Sequence, residues 1–124
     1  MRQVVETGLP AVSAPIEWAV SADKILYTAH IPIRPDGSFE TGDATRQMEV
    51  TMGNLKRTVE AAGGTMADVT QVLIYVTRAE DFAAINEVYA RYFDPPYPNR
   101  ATVVVAGIMV PGVVVEIVAH AHLP

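Results

Sequence analysis

The sequence predicts an α+β fold, a six-stranded mixed β-sheet with two helices packed on one face, and three observations carry that expectation. Two segments repeat their apolar residues at spacings of three and four, the period of a helix with one buried stripe. Six shorter segments rich in Val, Ile, Leu and aromatic residues lie between clusters of Pro, Gly or polar residues, as strands do. Between Val69 and Ala106 a strand-like run, a helical stripe and a second strand-like run follow one another. That order implies a right-handed crossover joining two parallel strands.

In chain order, the first strands are expected at Val4–Val5, Trp18–Val20 and Ile25–Tyr27, the last two joined by a polar turn at Ser21 to Lys24. Pro32, Pro35, Asp36 and Gly37 make a loop. From Asp43 to Ala62 the residues Ala44, Met48, Met52, Leu55, Val59 and Ala62 paint one helical stripe, closed by Gly63 and Gly64 as a left-handed cap. The β-branched run Val69–Val76 reads as a strand covered on both faces. A second helix is expected from Glu80 to Phe93, with Phe82, Ile85, Tyr89, Tyr92 and Phe93 on its buried side. The prolines of Asp94–Asn99 stop it, since proline lacks the amide and pushes the preceding residue out of the α region. Strands at Arg100–Ala106 and Val113–Ala121 complete the sheet.

A chain of 124 residues with half its residues apolar and no linker is expected to form one domain over residues 1–124. Fourteen acidic residues against nine basic give a net charge of -5, and Lys56–Arg57 is the one adjacent basic pair. That balance argues against a nucleic-acid partner. Without cysteine there is no disulfide and no thiol nucleophile, so a nucleophile has to be an activated water or a hydroxyl. The first fifteen residues lack a signal-peptide pattern, and no apolar run is long enough to span a membrane, so a cytoplasmic location is expected.

The last strand carries the clearest chemical signal. Val113, Val115, Ile117, Ala119 and Ala121 make one apolar face, whereas Glu116 interrupts the other between Val114 and Val118. A carboxylate there has to be paired, protonated or facing a wet pocket; a structural salt bridge would serve as well as a site. Arg100, held on stiff backbone after the Pro-rich loop, offers a planar fork suited to a carboxylate, or alternatively a partner for Glu116 or a helix end. Asn86 stands mid-helix, available for recognition or simply on the surface. His120 and His122 share a strand face but have no third metal ligand at diagnostic spacing, and His30 ends its strand as an edge residue would. No phosphate loop or nucleophile elbow is present.

Four stretches together, Asn54–Gly63, Asp81–Phe93, Pro98-Asn-Arg-Ala-Thr-Val103 and Val115-Glu-Ile117, resemble the reactive intermediate deaminase (Rid/YjgF) family along nearly the whole chain. The resemblance implies a chorismate-mutase-like protomer with the last strand beside Val69–Val76. It also implies a homotrimer whose sheets form a central barrel and whose clefts between protomers take a small carboxylate substrate. It further implies hydrolysis of 2-imino or 2-enamino acids to 2-oxo acids and ammonia without metal or organic cofactor. On that reading Arg100 holds the substrate carboxylate and Glu116 places the water. Asn86 and Thr102 line the site, with Ala101 between Arg100 and Thr102, and His30 stands near the pocket mouth, where it could share a proton near neutral pH.

Two departures from the family pattern bear on the substrate side chain. Ile16 stands for the family's Tyr, and Ala29-His30, one residue shorter, for its Ser-Gly-Gln. A trimer that binds small acids or partner proteins without catalysis is the competing expectation. Endoribonuclease activity is a third, disfavoured by the acidic balance.

Overall fold

A computed structural model describes residues 1–124. In chain order the elements are β1 (Gln3–Val4), β2 (Ala19–Ala22), β3 (Ile25–His30), α1 (Ala44–Ala61), β4 (Val69–Val76), α2 (Phe82–Ala90), β5 (Asn99–Val104) and β6 (Val115–His122). Single 3-10 turns at Met66–Asp68 and Ala79–Asp81 lead into β4 and α2. The strands form one sheet in the order β1-β2-β3-β6-β4-β5. β4 and β5 run parallel, as the crossover required, and every other neighbouring pair is antiparallel. No helix is long and apolar enough to cross a membrane.

The local chemistry explains the boundaries of α1. The Asp43 side chain accepts a hydrogen bond from the Arg46 backbone N–H at 2.9 Å and so caps the first turn. Met48, Met52, Leu55 and Val59 are fully buried, which is the stripe read from the sequence. At the far end Gly63 adopts φ 91°. Its N–H donates to the Glu60 carbonyl and that of Gly64 to the Val59 carbonyl, the paired bonds of a Schellman cap that a left-handed residue makes possible. Between β2 and β3, Asp23 and Lys24 both have positive φ, 51° and 65°, in the two-residue turn that the right-handed strand twist favours.

Both helices cover the same face of the sheet. Val72, Ile74 and Val76 of β4 and Val115, Ile117, Ala119 and Ala121 of β6 join Met48, Met52, Leu55, Ile85 and Val88 of the helices in one buried cluster. The alternate residues of β4, Gln71, Leu73 and Tyr75, are only half-buried. Within a single copy the strand is therefore covered on one face, whereas its continuous apolar run suggested two. A run with apolar residues at every position does not distinguish these cases.

Helix α2 is shorter than expected. Its buried stripe is Ile85, Val88 and Tyr89, and Phe82, expected inside, is the first residue of the helix and 44% exposed at its rim. Tyr92 and Phe93 lie past the helix end, where Phe93 is still buried, its ring 4.8 Å from that of Tyr89. Strand β3 in turn runs on to His30, three residues beyond the apolar signal, because Thr28 and His30 continue the inward alternation begun by Leu26.

Candidate functional site

Strand register fixes which face each candidate residue occupies. Arg100 lies beside Val72 and Thr102 beside Ile74, so both share the helix-covered face. Glu116 lies beside Tyr75, and Val118 beside Leu73, on the opposite face. Ala101, paired with Leu73, is also on that open face. Arg100 and Glu116 thus stand two strands apart on opposite sides of one sheet, which removes a salt bridge between them within one copy.

On the helix side, Arg100 opens on a cleft of about 370 Å³ whose lining includes Asn86, Tyr89, Tyr97 and Pro98. Asn86 is on the exposed side of α2 one turn before Tyr89, and Arg100 is delivered by the strand that follows the Pro-rich loop. The Arg100 guanidinium carbon stands 4.6 Å from the centroid of the Tyr89 ring and 5.7 Å from that of Phe82. None of the four ion pairs of the chain includes it. Burial pushes the Tyr89 phenol above its usual range, and the Arg100 charge acts in the opposite direction. The Thr102 hydroxyl is buried on the same face, one pleat further on, without a hydrogen-bond partner.

On the open side, Glu116 lines a cavity of about 340 Å³ that is otherwise largely apolar, with Ile16, Trp18, Ala29, Ile31 and Met109 among its walls. Glu116 is half-buried and no cation pairs with it. Burial raises its carboxyl above the usual carboxylate range. A carboxyl so placed is neutral more readily than an exposed one and is a stronger base when ionised.

His30 is at neither the pocket mouth nor a solvent-facing edge. It pairs with Ile117 on the helix side and is wholly buried, stacked on Trp18 with ring centroids 6.3 Å apart. Thr28 Oγ1 donates its single proton to the Trp18 carbonyl at 2.8 Å. The 2.6 Å contact between Thr28 Oγ1 and His30 Nε2 is then made by the imidazole N–H. That leaves Nδ1 as a buried lone pair without a donor. Burial lowers the His30 pKa to about 3, so the ring is neutral at physiological pH and shares no proton there. Its neighbour Ala29, one residue back and therefore on the other face, is the one that meets the Glu116 cavity.

Two residues that sequence reasoning missed hold the cavity walls. Gln47, fully buried in α1, donates to the Gly42 and Gly112 carbonyls at 3.1 and 2.9 Å and accepts from the Val114 N–H at 2.8 Å. It thereby fixes the start of β6 two residues before Glu116. Asn54, seven residues on, donates to the Ile31 and Ile33 carbonyls at 3.1 and 2.8 Å. The available signal was a pair of amides next to Met48 and Leu55 on an otherwise apolar stripe. Of the two remaining histidines, His120 meets the Tyr27 ring edge-on at 5.3 Å, and His122 is exposed.

The fold and these clefts define a class: small α+β proteins that present an unpaired arginine and a half-buried carboxyl on opposite faces of one sheet. A sequence model of the endoribonuclease L-PSP family matches residues 8–123. The chain is 37% identical to a RutC family protein of Pyrococcus horikoshii over 98% of both chains. It is 34% identical to the 3-aminoacrylate deaminase RutC of Acinetobacter baylyi over 97% of this chain and 96% of that one. The crystal structure of E. coli TdcF with bound serine superposes with a TM-score of 0.89 at 31% identity, covering 98% of this chain and 99% of that one. The chain belongs to the endoribonuclease L-PSP family, the Rid/YjgF proteins.

Proposed function

We propose that the protein is an imine and enamine deaminase acting on 2-imino or 2-enamino acids. A 2-enamino acid first tautomerises, its β-carbon gaining a proton as an N–H proton is lost; water then adds to the C=N carbon of the imino acid, forming the C–O bond while the C–N π electrons pass to nitrogen. The resulting amino alcohol expels ammonia and leaves the 2-oxo acid. Glu116 takes one proton from water and passes it to nitrogen, then relays the hydroxyl proton of the amino alcohol to the same nitrogen as ammonia leaves, a role typically contributing on the order of 10²- to 10⁴-fold. Arg100 holds the substrate carboxylate, with Asn86 and Thr102 on its side of the sheet, while Ala101 lies on the face of Glu116. The scheme uses no metal or organic cofactor.

The observation that carries this reading is the state of Glu116: half-buried, without a cation, its carboxyl raised by burial, at the edge of an apolar cavity. A structural carboxylate would be paired. The family relative named as a 3-aminoacrylate deaminase supports the reaction class, and the serine bound by TdcF supports a small amino or imino acid as substrate.

Because Arg100 and Glu116 occupy opposite faces, the proposed site takes Arg100 from one copy and Glu116 from another. A homotrimer of the chorismate-mutase-like kind, its three sheets closing a central barrel, provides such clefts. The open sheet face, with Leu73, Tyr75 and Val118 half-buried and Val103 47% exposed, is the apolar surface such an assembly would cover. A non-catalytic binder of small acids is favoured by one observation, that the Arg100 cleft is complete without Glu116. The acidic balance of the chain speaks against an endoribonuclease.

Ammonia release from freshly generated 2-imino acids separates these readings. The wild type is expected to accelerate it above buffer, and Glu116→Gln to keep 2-oxo acid binding while losing turnover. Binding without acceleration by the wild type would leave only the binder.

A further inference from the structure

Phe82 is an apolar ring left 44% exposed at the first residue of α2, and core packing gives no reason for it. Seven residues on, two helical turns along the same side, stands Tyr89. Between them they place two aromatic rings around the Arg100 guanidinium, at 5.7 and 4.6 Å from its carbon. The negative face of an aromatic ring attracts a cation without engaging its N–H groups. A carboxylate in the same place would occupy the guanidinium fork and compete with an incoming acid. Arg100 has no such carboxylate. The Tyr89 hydroxyl, buried and without a hydrogen-bond partner, takes no part in holding it.

We propose that Phe82 and Tyr89 form an aromatic seat that orients Arg100 while leaving its hydrogen-bonding fork free for a small carboxylate. Both are positioning residues that act through Arg100, and the inference rests on the reading of Arg100 as the carboxylate anchor. Exposure of Phe82 at the rim follows from this role, since its ring has to reach the guanidinium and not the core.

The test is calorimetric titration with 2-oxobutanoate, alongside melting temperatures, on the full chain. Phe82→Leu is expected to weaken binding about three- to tenfold with the melting temperature nearly unchanged, in line with a cation–π contact of intermediate exposure. Phe82→Trp should restore binding, because indole offers the stronger face. In an Arg100→Gln background, itself binding at least tenfold more weakly, Phe82→Leu should cause no further loss. Parental affinity in Phe82→Leu, with weak binding in Arg100→Gln, would overturn the seat while leaving Arg100 as anchor. An equal loss from Phe82→Leu in both backgrounds would also overturn it, because Phe82 would then touch the ligand directly. Parental affinity in Arg100→Gln would remove the anchor itself.

Discussion

Acidification should weaken this protein through His30. The imidazole titrates at about 3 in the folded chain, because burial opposes its charge, and at about 6.5 when unfolded. Below pH 6.5 the unfolded state binds a proton that the folded state refuses, so stability is present above that value and declines as pH falls towards 3. Linkage over this gap gives a loss of about 2 kcal/mol at pH 5 relative to pH 7.5, since each unit of pH contributes about 1.4 kcal/mol across the window. Carboxylates titrate nearby, so the assay is a difference: urea unfolding of wild type and His30→Gln at pH 7.5, 6 and 5, at one protein concentration. Glutamine is close in size and offers an N–H to Thr28 Oγ1. The stability difference between the two proteins should shift by about 2 kcal/mol in favour of the glutamine variant between pH 7.5 and 5. Parallel pH profiles would mean that His30 accepts a proton in the folded state, and the buried lone pair at Nδ1 would be a misreading.

Three further outcomes follow from other residues. Gln47→Leu removes three hydrogen bonds and strands the Gly112 carbonyl and the Val114 N–H, which should cost about 2 to 4 kcal/mol by denaturant titration; a neutral substitution would show that water replaces the amide. Gly63→Ala places a Cβ on a residue at φ 91° and should lower stability by about 1 kcal/mol, read as a shift in the urea midpoint. If Glu116 is the base, kcat/KM for imine hydrolysis should fall with decreasing pH along a limb above the ordinary glutamate range near 4.3, because burial raises its carboxyl; an acid limb at or below that range would contradict the raised pKa.

The alternation of Val115, Ile117, Ala119 and Ala121 around Glu116 made the last strand and its odd carboxylate legible in the sequence, because a strand face is a period of two. The stripe of α1 and its glycine cap were equally legible. Which residues meet across the sheet was not, since register is set by long-range pairing that local pattern does not encode. Whether Arg100 and Glu116 face the same side of one copy was therefore not readable, and register puts them on opposite faces. His30 was misplaced for a nearer reason. At the end of its strand it was read as an edge residue because it is polar, yet the parity of Thr28 and His30 with Leu26 already pointed inward. Phe82 was assigned to the core because it falls on the helical stripe of Ile85 and Tyr89, while Gln47 and Asn54 were passed over because polar residues on a helix are usually solvated.

On the proposed reading, one copy supplies Arg100 and another Glu116 to a single deaminase site. Arg100→Gln and Glu116→Gln proteins, each expected to be inactive, can be mixed in equal amounts and co-refolded so that subunits distribute at random. A site at the contact of two copies is intact when its arginine side comes from the Glu116→Gln chain and its glutamate side from the Arg100→Gln chain. For random assembly this applies to about a quarter of the sites. The mixture is thus predicted to release ammonia from a 2-imino acid at about a quarter of the parental rate per site. No recovery in co-assembled mixtures would contradict the account, because every chain in them lacks one of the two residues and only a site shared between copies can restore activity.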